Sequence, residues 1–446
     1  VSESALTFSD LSGRKVGIWG FGVEGRATLS RLHKLGINPY VIVDDAPHAD
    51  EAHEVLATTS GGIEALFSCD VVIKSPGVSR YRHEVKELED GGVVVMGGVG
   101  LWLNGIDRSK VIAITGSKGK STTSSLTHAL LQAHGRKSLL AGNIGVVAWD
   151  PINPDASEFD DIVVELSSYQ VTDVVLGPRL VVLTSLSPDH LDWHGGVANY
   201  YDDKLSLCRK PDVEVVLANG DDKELRSHEA TLGENLTWIS PLPFTHDVAV
   251  AFHLQGIHNE HNAALSLAIL EARGIHATGA IVHACAKEFT PLPSRLSLVA
   301  RSGGVQFIDD GLATNVLPTA SALAAYPQGR LVLLVGGQDR GIDYHPLADA
   351  LENRPGETAL CTLPDNGHRI HKQIVEGGWG GVVKDFEEID ECVAWAAQWV
   401  GEEGVVLLSP AAPSYGRYRN YQHRGEMFLS AAKAWAHSEG RPFTEI

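Results

Sequence analysis

VIAITGSKGKST, residues 111–122, is an apolar strand running into a glycine-bounded turn, after which Lys120 and Ser121 open a helix. Such a turn aims several backbone N–H groups at one point, where the helix dipole and a lysine favour a polyphosphate and a Ser or Thr hydroxyl can ligate Mg²⁺. The spacing is shorter than G-x-x-x-x-G-K-[ST], because Ile114 stands where the first glycine would be, leaving T-G-x-x-G-K-S-T. Gly116, Ser117, Lys118, Gly119, Lys120, Ser121 and Thr122 are the candidate ATP contacts. An ordinary glycine-rich turn is disfavoured, since lysine and hydroxyl follow directly on Gly119.

A second glycine loop lies in KVGIWGFGVEGRA, where a short strand meets Gly20, Gly22 and Gly25 ahead of a helical RATLSRLHKLG. With Asp44 or Asp45 about 20 residues on, the pattern fits dinucleotide binding. G-x-G-x-x-G is nevertheless a weak motif, and a nucleotide-diphosphate handle fits it equally well. The plain alternative is that these glycines only let helix and strand pack closely.

Apolar strand-like runs alternate with helical segments almost throughout, which predicts parallel α/β sheets. Strands are expected at 15–19, 39–43, 111–115, 162–166, 180–186, 213–218, 305–309, 330–335 and 404–408. Breaks before Lys110 and at FTPLPSR divide the chain into three expected domains, 1–107, 108–297 and 298–446. A length of 446 residues with 43% hydrophobic content suits that division. No stretch approaches the ~18 uninterrupted apolar residues of a membrane span, and VSESALTFSDLSGRK carries no signal-peptide pattern. Cys69, Cys208, Cys285, Cys361 and Cys392 are odd in number and widely spaced, so they read as reduced thiols of a cytoplasmic protein. A formal charge of −20 argues against nucleic acid or anionic membranes as partners. It also means that an anionic substrate must be held by locally placed cations, helix N-termini and metal.

Downstream of the phosphate loop, DIVVELSSYQ ends a strand in Glu165, and strand ends of a parallel sheet converge on the ligand. Glu165 is a candidate Mg²⁺ ligand, with a solvated strand-end acid as the plain alternative. LVVLTSLSPDHLDWHG then supplies Asp189, His190, Asp192 and His194 before a helical NYYDDKLSL carrying Lys204. Two histidines four apart hint at zinc, but no third ligand stands at a recognisable spacing, and a site for ATP and Mg²⁺ prefers oxygen ligands with one imidazole.

ITGSKGKST, AGNIG (141–145), ELSSYQ, PDHLDWHG with Lys204, GIHNEHNAA (256–264), LLSPAAPSYGRYRNYQHRG and KSPG (74–77) occur in order over nearly the whole chain. Together they resemble the Mur ligase family, and within it the enzymes that add glutamate to UDP-N-acetylmuramoyl-L-alanine. The resemblance implies three α/β domains: a Rossmann-like N-terminal domain for the UDP-substrate, a central P-loop ATPase-like domain with a parallel sheet, and a Rossmann-like C-terminal domain for glutamate. It implies an ATP-dependent amide ligase of peptidoglycan precursor synthesis, working through an acyl phosphate with two Mg²⁺ ions, and a monomer.

Carried over by position, Lys120 and Ser121 would hold phosphate and Mg²⁺, Glu165 and His190 would be metal ligands, and Lys204 matches a lysine that the family carbamylates. Asn259, Asn262, Arg295 and Asp310 match residues around ATP. Gly20, Phe21, Gly22, Val23, Glu24, Asp44, Ser75, Pro76, Gly77, Asn143 and Ser167 match the UDP-substrate side. Thr314, Arg340, Ser414, Tyr415 and Tyr421 match glutamate contacts, with Arg340 suited to a bidentate carboxylate bond.

Several positions depart from the common D-glutamate pattern: Gly311 replaces a serine, Leu312 a lysine, Ser294 a histidine and Ala412 a cysteine. A smaller branch that adds L-glutamate likewise has an aliphatic residue at the Leu312 position. It also shares the style of GVEGRA, KSPG, SKGKSTT, LDWHG, GGQDRG and SPAAPS. L-Glutamate is therefore expected, with D-glutamate as the alternative. Two further readings stand apart: an NAD-dependent oxidoreductase, which leaves the ATP loop unexplained, and a non-catalytic nucleotide-binding protein, at odds with the intact set Lys120, Glu165, His190 and Lys204.

Overall fold

The computed structural model describes residues 5–47, 53–289, 292–414 and 416–446. Three sheets organise it. The first is wholly parallel: β1 (Val16–Trp19), β2 (Val41–Asp44), β3 (Leu56–Ala57), β4 (Val71–Lys74) and β5 (Val94–Gly97), in the order β3-β2-β1-β4-β5. The second is also parallel: β6 (Val111–Thr115), β7 (Ser138–Gly142), β8 (Asp161–Glu165), β9 (Leu180–Leu183), β10 (Val215–Asn219) and β11 (Leu236–Ile239), in the order β11-β10-β9-β6-β8-β7. The third contains β12 (Ser297–Ser302), β13 (Gly304–Asp309), β14 (Leu331–Val335), β15 (Thr358–Thr362), β16 (Val382–Asp385), β17 (Glu403–Leu408) and β18 (Thr444–Glu445). Its order is β16-β15-β14-β17-β13-β12-β18, with only the β12 pairings antiparallel.

VIAIT, LVVL and LVLLV are buried along their whole length, as strands covered on both faces must be. In the second sheet β6 lies between β8 and β9, so the carboxyl ends of these three strands face one crevice. In the first, β1 lies between β2 and β4, which sets Gly20 beside Ser75.

The chain forms two compact units, Val1–Val248 with His261–Glu288, and Ala249–Glu260 with Phe289–Ile446. The first holds two sheets on one hydrophobic core, which runs from Val16, Ile18 and Ile73 to Val111, Ala113 and Val164. Trp149 Nε1 donates to Thr28 Oγ1 at 3.1 Å, and Lys74 pairs with Asp173 at 2.8 Å with both side chains buried. The junction at 107 is thus spanned by packed side chains. The second unit includes residues 249–260, ahead of the expected division at 297.

The strand expected over 180–186 stops at Leu183. Thr184, Ser185 and Ser187 turn their polar groups to the phosphate loop, and Leu186 N–H donates to Asp222 Oδ2 at 3.1 Å. The strands at 71–74, 94–97, 138–142 and 358–362 were not among the expected ones.

Candidate active site

At the end of β6 the loop takes the shape that its glycines permit. Gly116 (φ 147°) and Gly119 (φ 87°) lie in the region that favours glycine. A Cβ at Gly116 would fall 2.1 Å from Thr184 Oγ1, and one at Gly119 2.5 Å from Asn262 Oδ1. Ser117 Oγ donates to Ser187 O at 2.7 Å, Lys118 N–H donates to Ser185 Oγ at 2.8 Å, and Tyr200 OH lies 2.7 Å from Ser117 Oγ. The loop is held from β9, which leaves the start of the helix Lys120–Ala133 to present its N–H groups. Ser121 in its first turn is buried and Thr122 half-buried. Lys120 Nζ donates to Gly116 O at 2.9 Å and to Ser117 O at 3.1 Å, while Lys118 pairs with Asp189 at 3.1 Å.

Glu165 is 1% exposed at the end of β8. Its Oε1 accepts from Asn143 Nδ2 at 2.8 Å, whereas Oε2 is buried with no hydrogen-bond partner among the described residues. A buried carboxylate oxygen left unpaired is costly unless something cationic completes it. Lys204, on the helix Val197–Ser206, is 2% exposed and donates to Gly116 O at 2.8 Å. Burial, with Lys120 nearby, drives its amine well below the ordinary lysine value, although Asp189 and Glu165 oppose the shift. His190 has φ 52°, a half-exposed ring and a lowered pKa, set first by burial against the opposing charge of Asp189. The structure therefore gathers the Lys204 amine, the His190 imidazole, an unpaired carboxylate oxygen of Glu165 and the buried Ser121 hydroxyl around one phosphate loop, and of these the carboxylate and hydroxyl oxygens are the hard donors that Mg²⁺ prefers.

His190 and His194 do not form a metal pair. His194 is wholly buried, with Nδ1 2.7 Å from Asp203 Oδ2 and Nε2 2.9 Å from Ser168 Oγ. Asn143 and Ser167, expected against the substrate, also have structural duties. Asn143 braces Glu165, and Ser167 caps the short helix Ser168–Val171. Asn262 in the first unit accepts from Thr123 Oγ1 at 3.2 Å, while Asn259 lies in the second unit and donates to Gln255 O at 2.7 Å.

In the first sheet each glycine of the loop has its own role. Gly20 (φ 94°) makes the turn beside Ser75, and a Cβ at Gly25 would fall 2.1 Å from Gly20 O. A Cβ at Gly22 meets nothing within 4 Å, which leaves that face open to a ligand. Asp44, expected near the uracil or ribose, accepts from Phe21 N–H at 2.6 Å and Ala46 N–H at 2.9 Å, so it first shapes the loop. Ser75 Oγ donates to Gly20 O at 2.7 Å, Gly77 is exposed, and Val23 is 77% exposed at the helix start. Glu24 Oε1 accepts from Gln170 Nε2 at 2.7 Å, and burial raises its carboxyl to about 7.

The second unit brings three loops together at the carboxyl ends of β13, β14 and β17. Arg424 is wholly buried and donates to Gly311 O at 2.9 Å and to Gly336 O and Ala412 O at 3.2 Å. Those carbonyls belong to the segments carrying Thr314, Arg340 and Ser414. Arg340 is exposed and its guanidinium makes no ion pair among the described residues, whereas neighbouring Asp339 is clamped by Arg369. Thr314 and Tyr421 are half-buried and Ser414 is buried. Tyr415 lies outside the described residues. Arg295 is half-buried. Asp310 accepts from Ser409 Oγ at 2.7 Å and Leu296 N–H at 3.1 Å, and burial raises its carboxyl to about 7. Ser294 Oγ donates to Asp309 Oδ2 at 2.7 Å and Leu312 N–H donates to Ser294 O at 3.1 Å, so Ser294 and Leu312 share one corner. Sequence reasoning missed Arg424 and Asp309. The available signal was an arginine four residues before Phe428 on the apolar face of the helix Tyr421–Ser438.

Residues 114–241 match the family described as the Mur ligase middle domain, and residues 294–412 match the Mur ligase glutamate ligase domain. A Micromonospora protein named UDP-N-acetylmuramoyl-L-alanine–L-glutamate ligase is 38% identical over 96% of this chain and 98% of its own length. The protein of the same name from Salinispora tropica is 38% identical over 96% and 99% of the two chains, and that of Xanthomonas euvesicatoria 34% identical over 96% and 97%. Among solved structures, UDP-N-acetylmuramate–alanine ligase from Thermotoga maritima superposes with a TM-score of 0.53 at 17% identity, covering 96% of this chain and 99% of that one. A pseudomurein peptide ligase type C from Methanothermus fervidus gives 0.54 at 14% identity, covering 94% and 100%. These structural likenesses bear on the fold alone.

Proposed function

The chain belongs to the Mur ligase family, and on that premise we propose that it joins L-glutamate to UDP-N-acetylmuramoyl-L-alanine at the expense of ATP, as a cytoplasmic step of peptidoglycan precursor synthesis. The observation that carries this reading is the meeting of Lys120, the unpaired Glu165 Oε2 and the buried Lys204 around the phosphate loop. The names of the relatives supply the substrate class.

The alanine carboxylate attacks the γ-phosphorus of ATP, a P–O bond forms as the bond to the β–γ bridging oxygen breaks, and ADP leaves. The glutamate amine then attacks the acyl carbon and loses a proton, and the tetrahedral centre expels phosphate to leave an amide. The first step sets anion against anion, so its barrier falls only where cations stand ready. Lys120 would exchange its two loop carbonyls for phosphate oxygens. Ser121, Glu165 and His190 would hold Mg²⁺, which when bound offsets charge on the transferring phosphoryl group.

The lowered basicity of Lys204 supports carbamylation. A neutral Nζ can attack CO₂, forming an N–C bond with loss of one proton, and the product is a carboxylate-like group beside Glu165. On the second unit, Arg340 would take one carboxylate of glutamate, with Thr314, Ser414, Tyr415 and Tyr421 around it. The apolar Leu312 supports the L-enantiomer, because the cation of the D-glutamate pattern is absent. The glycine loop would lie near the diphosphate, with Asp44 near the uracil or ribose and Ser75, Pro76 and Gly77 as another wall, and by the family match Asn259, Asn262, Arg295 and Asp310 are candidate ATP contacts. The mechanism is tested by labelling the alanine carboxylate with ¹⁸O: one label should appear in the released inorganic phosphate, and unlabelled phosphate would rule out the acyl phosphate.

A further inference from the structure

Ser168 Oγ, His194 and Asp203 line up at 2.9 Å and 2.7 Å in the order of a nucleophilic triad. They are not one, because Ser168 is 2% exposed and His194 is wholly buried, so no substrate carbonyl can reach the serine. The arrangement instead ties chain segments together. Ser168 lies three residues after Glu165, across the Ser167 cap, and Asp203 immediately precedes Lys204. The imidazole thus spans the gap between the backbones that carry Glu165 and Lys204.

The adjacent residue extends the link in the other direction. Trp193 Nε1 donates to Pro76 O at 3.0 Å, and its carbonyl accepts from Ser79 Oγ at 2.6 Å. Its ring stacks on Tyr169 at 4.5 Å, and the Tyr169 ring is 5.0 Å from that of His190. Tyr81 OH donates at 3.0 Å to Asp203 Oδ2, the oxygen that also meets His194. The segment 76–81 of the first sheet and the phosphate-loop site of the second are therefore joined through Trp193, His194 and Asp203. A buried polar bridge adds little net stability over apolar packing of the same volume, so its worth lies in fixing geometry.

We propose that His194 is a positioning residue for ligation: through Ser168 and Asp203 it sets the spacing of Glu165 and Lys204, and through Trp193 it registers that pair against the Pro76–Tyr81 wall. The proposal rests on the ligase reading above, since the reaction needs the uridine substrate and the phosphate loop in one register. A displacement of about 1 Å between reacting groups costs on the order of 100-fold in rate.

The test measures steady-state phosphate release with UDP-N-acetylmuramoyl-L-alanine, L-glutamate and ATP·Mg²⁺, alongside thermal unfolding, for wild type, His194→Phe, His194→Asn and Tyr81→Phe. The Asn variant can still donate to Asp203 but cannot reach Ser168. Tyr81 is 46% exposed, so its variant leaves the core untouched. In His194→Phe, kcat should fall roughly 100-fold while KM for the uridine substrate and ATP hardly moves and the melting temperature drops only by the few degrees that two lost buried hydrogen bonds cost. His194→Asn should recover part of the rate, and Tyr81→Phe should lose a smaller part. Unchanged kcat in His194→Phe, or a rise in KM alone, overturns the proposal. If His194→Phe does not fold, Tyr81→Phe decides: a lowered kcat supports the link, and an unchanged one overturns it. A wild type that releases no phosphate from these substrates fails the ligase reading itself, which is a different result.

Discussion

Replacing Lys204 by methionine should make the protein more stable and far less active. The side chain is 2% exposed, and its amine is held well below the ordinary lysine value by burial and by Lys120. Unfolded, the amine titrates near 10.5, so between the lowered folded value and 10.5 the folded chain has given up a proton that the unfolded chain keeps, and below that range the buried charge carries the full penalty. Stability therefore rises with pH between the folded and unfolded pKa values, by up to about 1.4 kcal/mol per pH unit for this group. Methionine removes that penalty at similar volume. The bond to Gly116 O is lost, a cost of about 1 kcal/mol, but that carbonyl still accepts from Lys120 and is not orphaned.

The net expectation for Lys204→Met is a gain of about 1–2 kcal/mol at pH 7, within the usual range for removing an unfavourable buried polar group. The gain should shrink as pH approaches 10. Turnover should fall by about 10³-fold, or ~4 kcal/mol of transition-state stabilisation. Thermal unfolding across pH 7–10 in CO₂-depleted buffer, paired with phosphate release, reads both signs. A variant less stable than wild type at pH 7, a gain that grows with pH, or near-normal turnover would each refute the reasoning.

Glu165→Gln keeps an acceptor for Asn143 and should fold normally, yet lose at least ~100-fold in kcat because the unpaired oxygen no longer carries charge; phosphate release and the melting curve together check this. Arg424→Met leaves three loop carbonyls without their shared donor, so it should destabilise the second unit by about 2–4 kcal/mol and raise KM for glutamate more than KM for ATP. Asp310, raised to about 7 in the folded chain against 3.8 unfolded, binds a proton there that the unfolded chain has released, so its contribution to stability falls as pH rises from about 4 to 7. Asp310→Asn should therefore stabilise more at pH 8 than at pH 5, which denaturation at the two pH values would show.

Much of the fold could be read locally. In residues 111–122 a strand, two glycines with positive φ and a lysine opening the helix all fall within one short window, so spacing alone predicts the shape. Missed strands such as VVIK at Val71–Lys74 and SLLAG at Ser138–Gly142 are only four or five residues long and become strands by pairing in the sheet. The candidate set of Lys120, Glu165, His190 and Lys204 could be picked out because each sits at a strand end or in a motif. The depressed pKa of Lys204 was not, because it follows from burial produced by the whole domain. His194 shows the same gap: its spacing from His190 raised the thought of zinc, while its partners Ser168 and Asp203 come from two other elements. Arg424 sits in a helix where only tertiary packing reveals that its face is buried and surrounded by carbonyls.

The central claim is that this chain ligates L-glutamate to UDP-N-acetylmuramoyl-L-alanine. Phosphate release by the purified protein with that substrate, ATP and Mg²⁺, run separately with L-glutamate and D-glutamate, tests it most directly. Turnover with L-glutamate and none with D-glutamate is the predicted result. Turnover with D-glutamate alone would contradict the assignment of the enantiomer and the role given to Leu312, and release with neither would contradict the ligase reading.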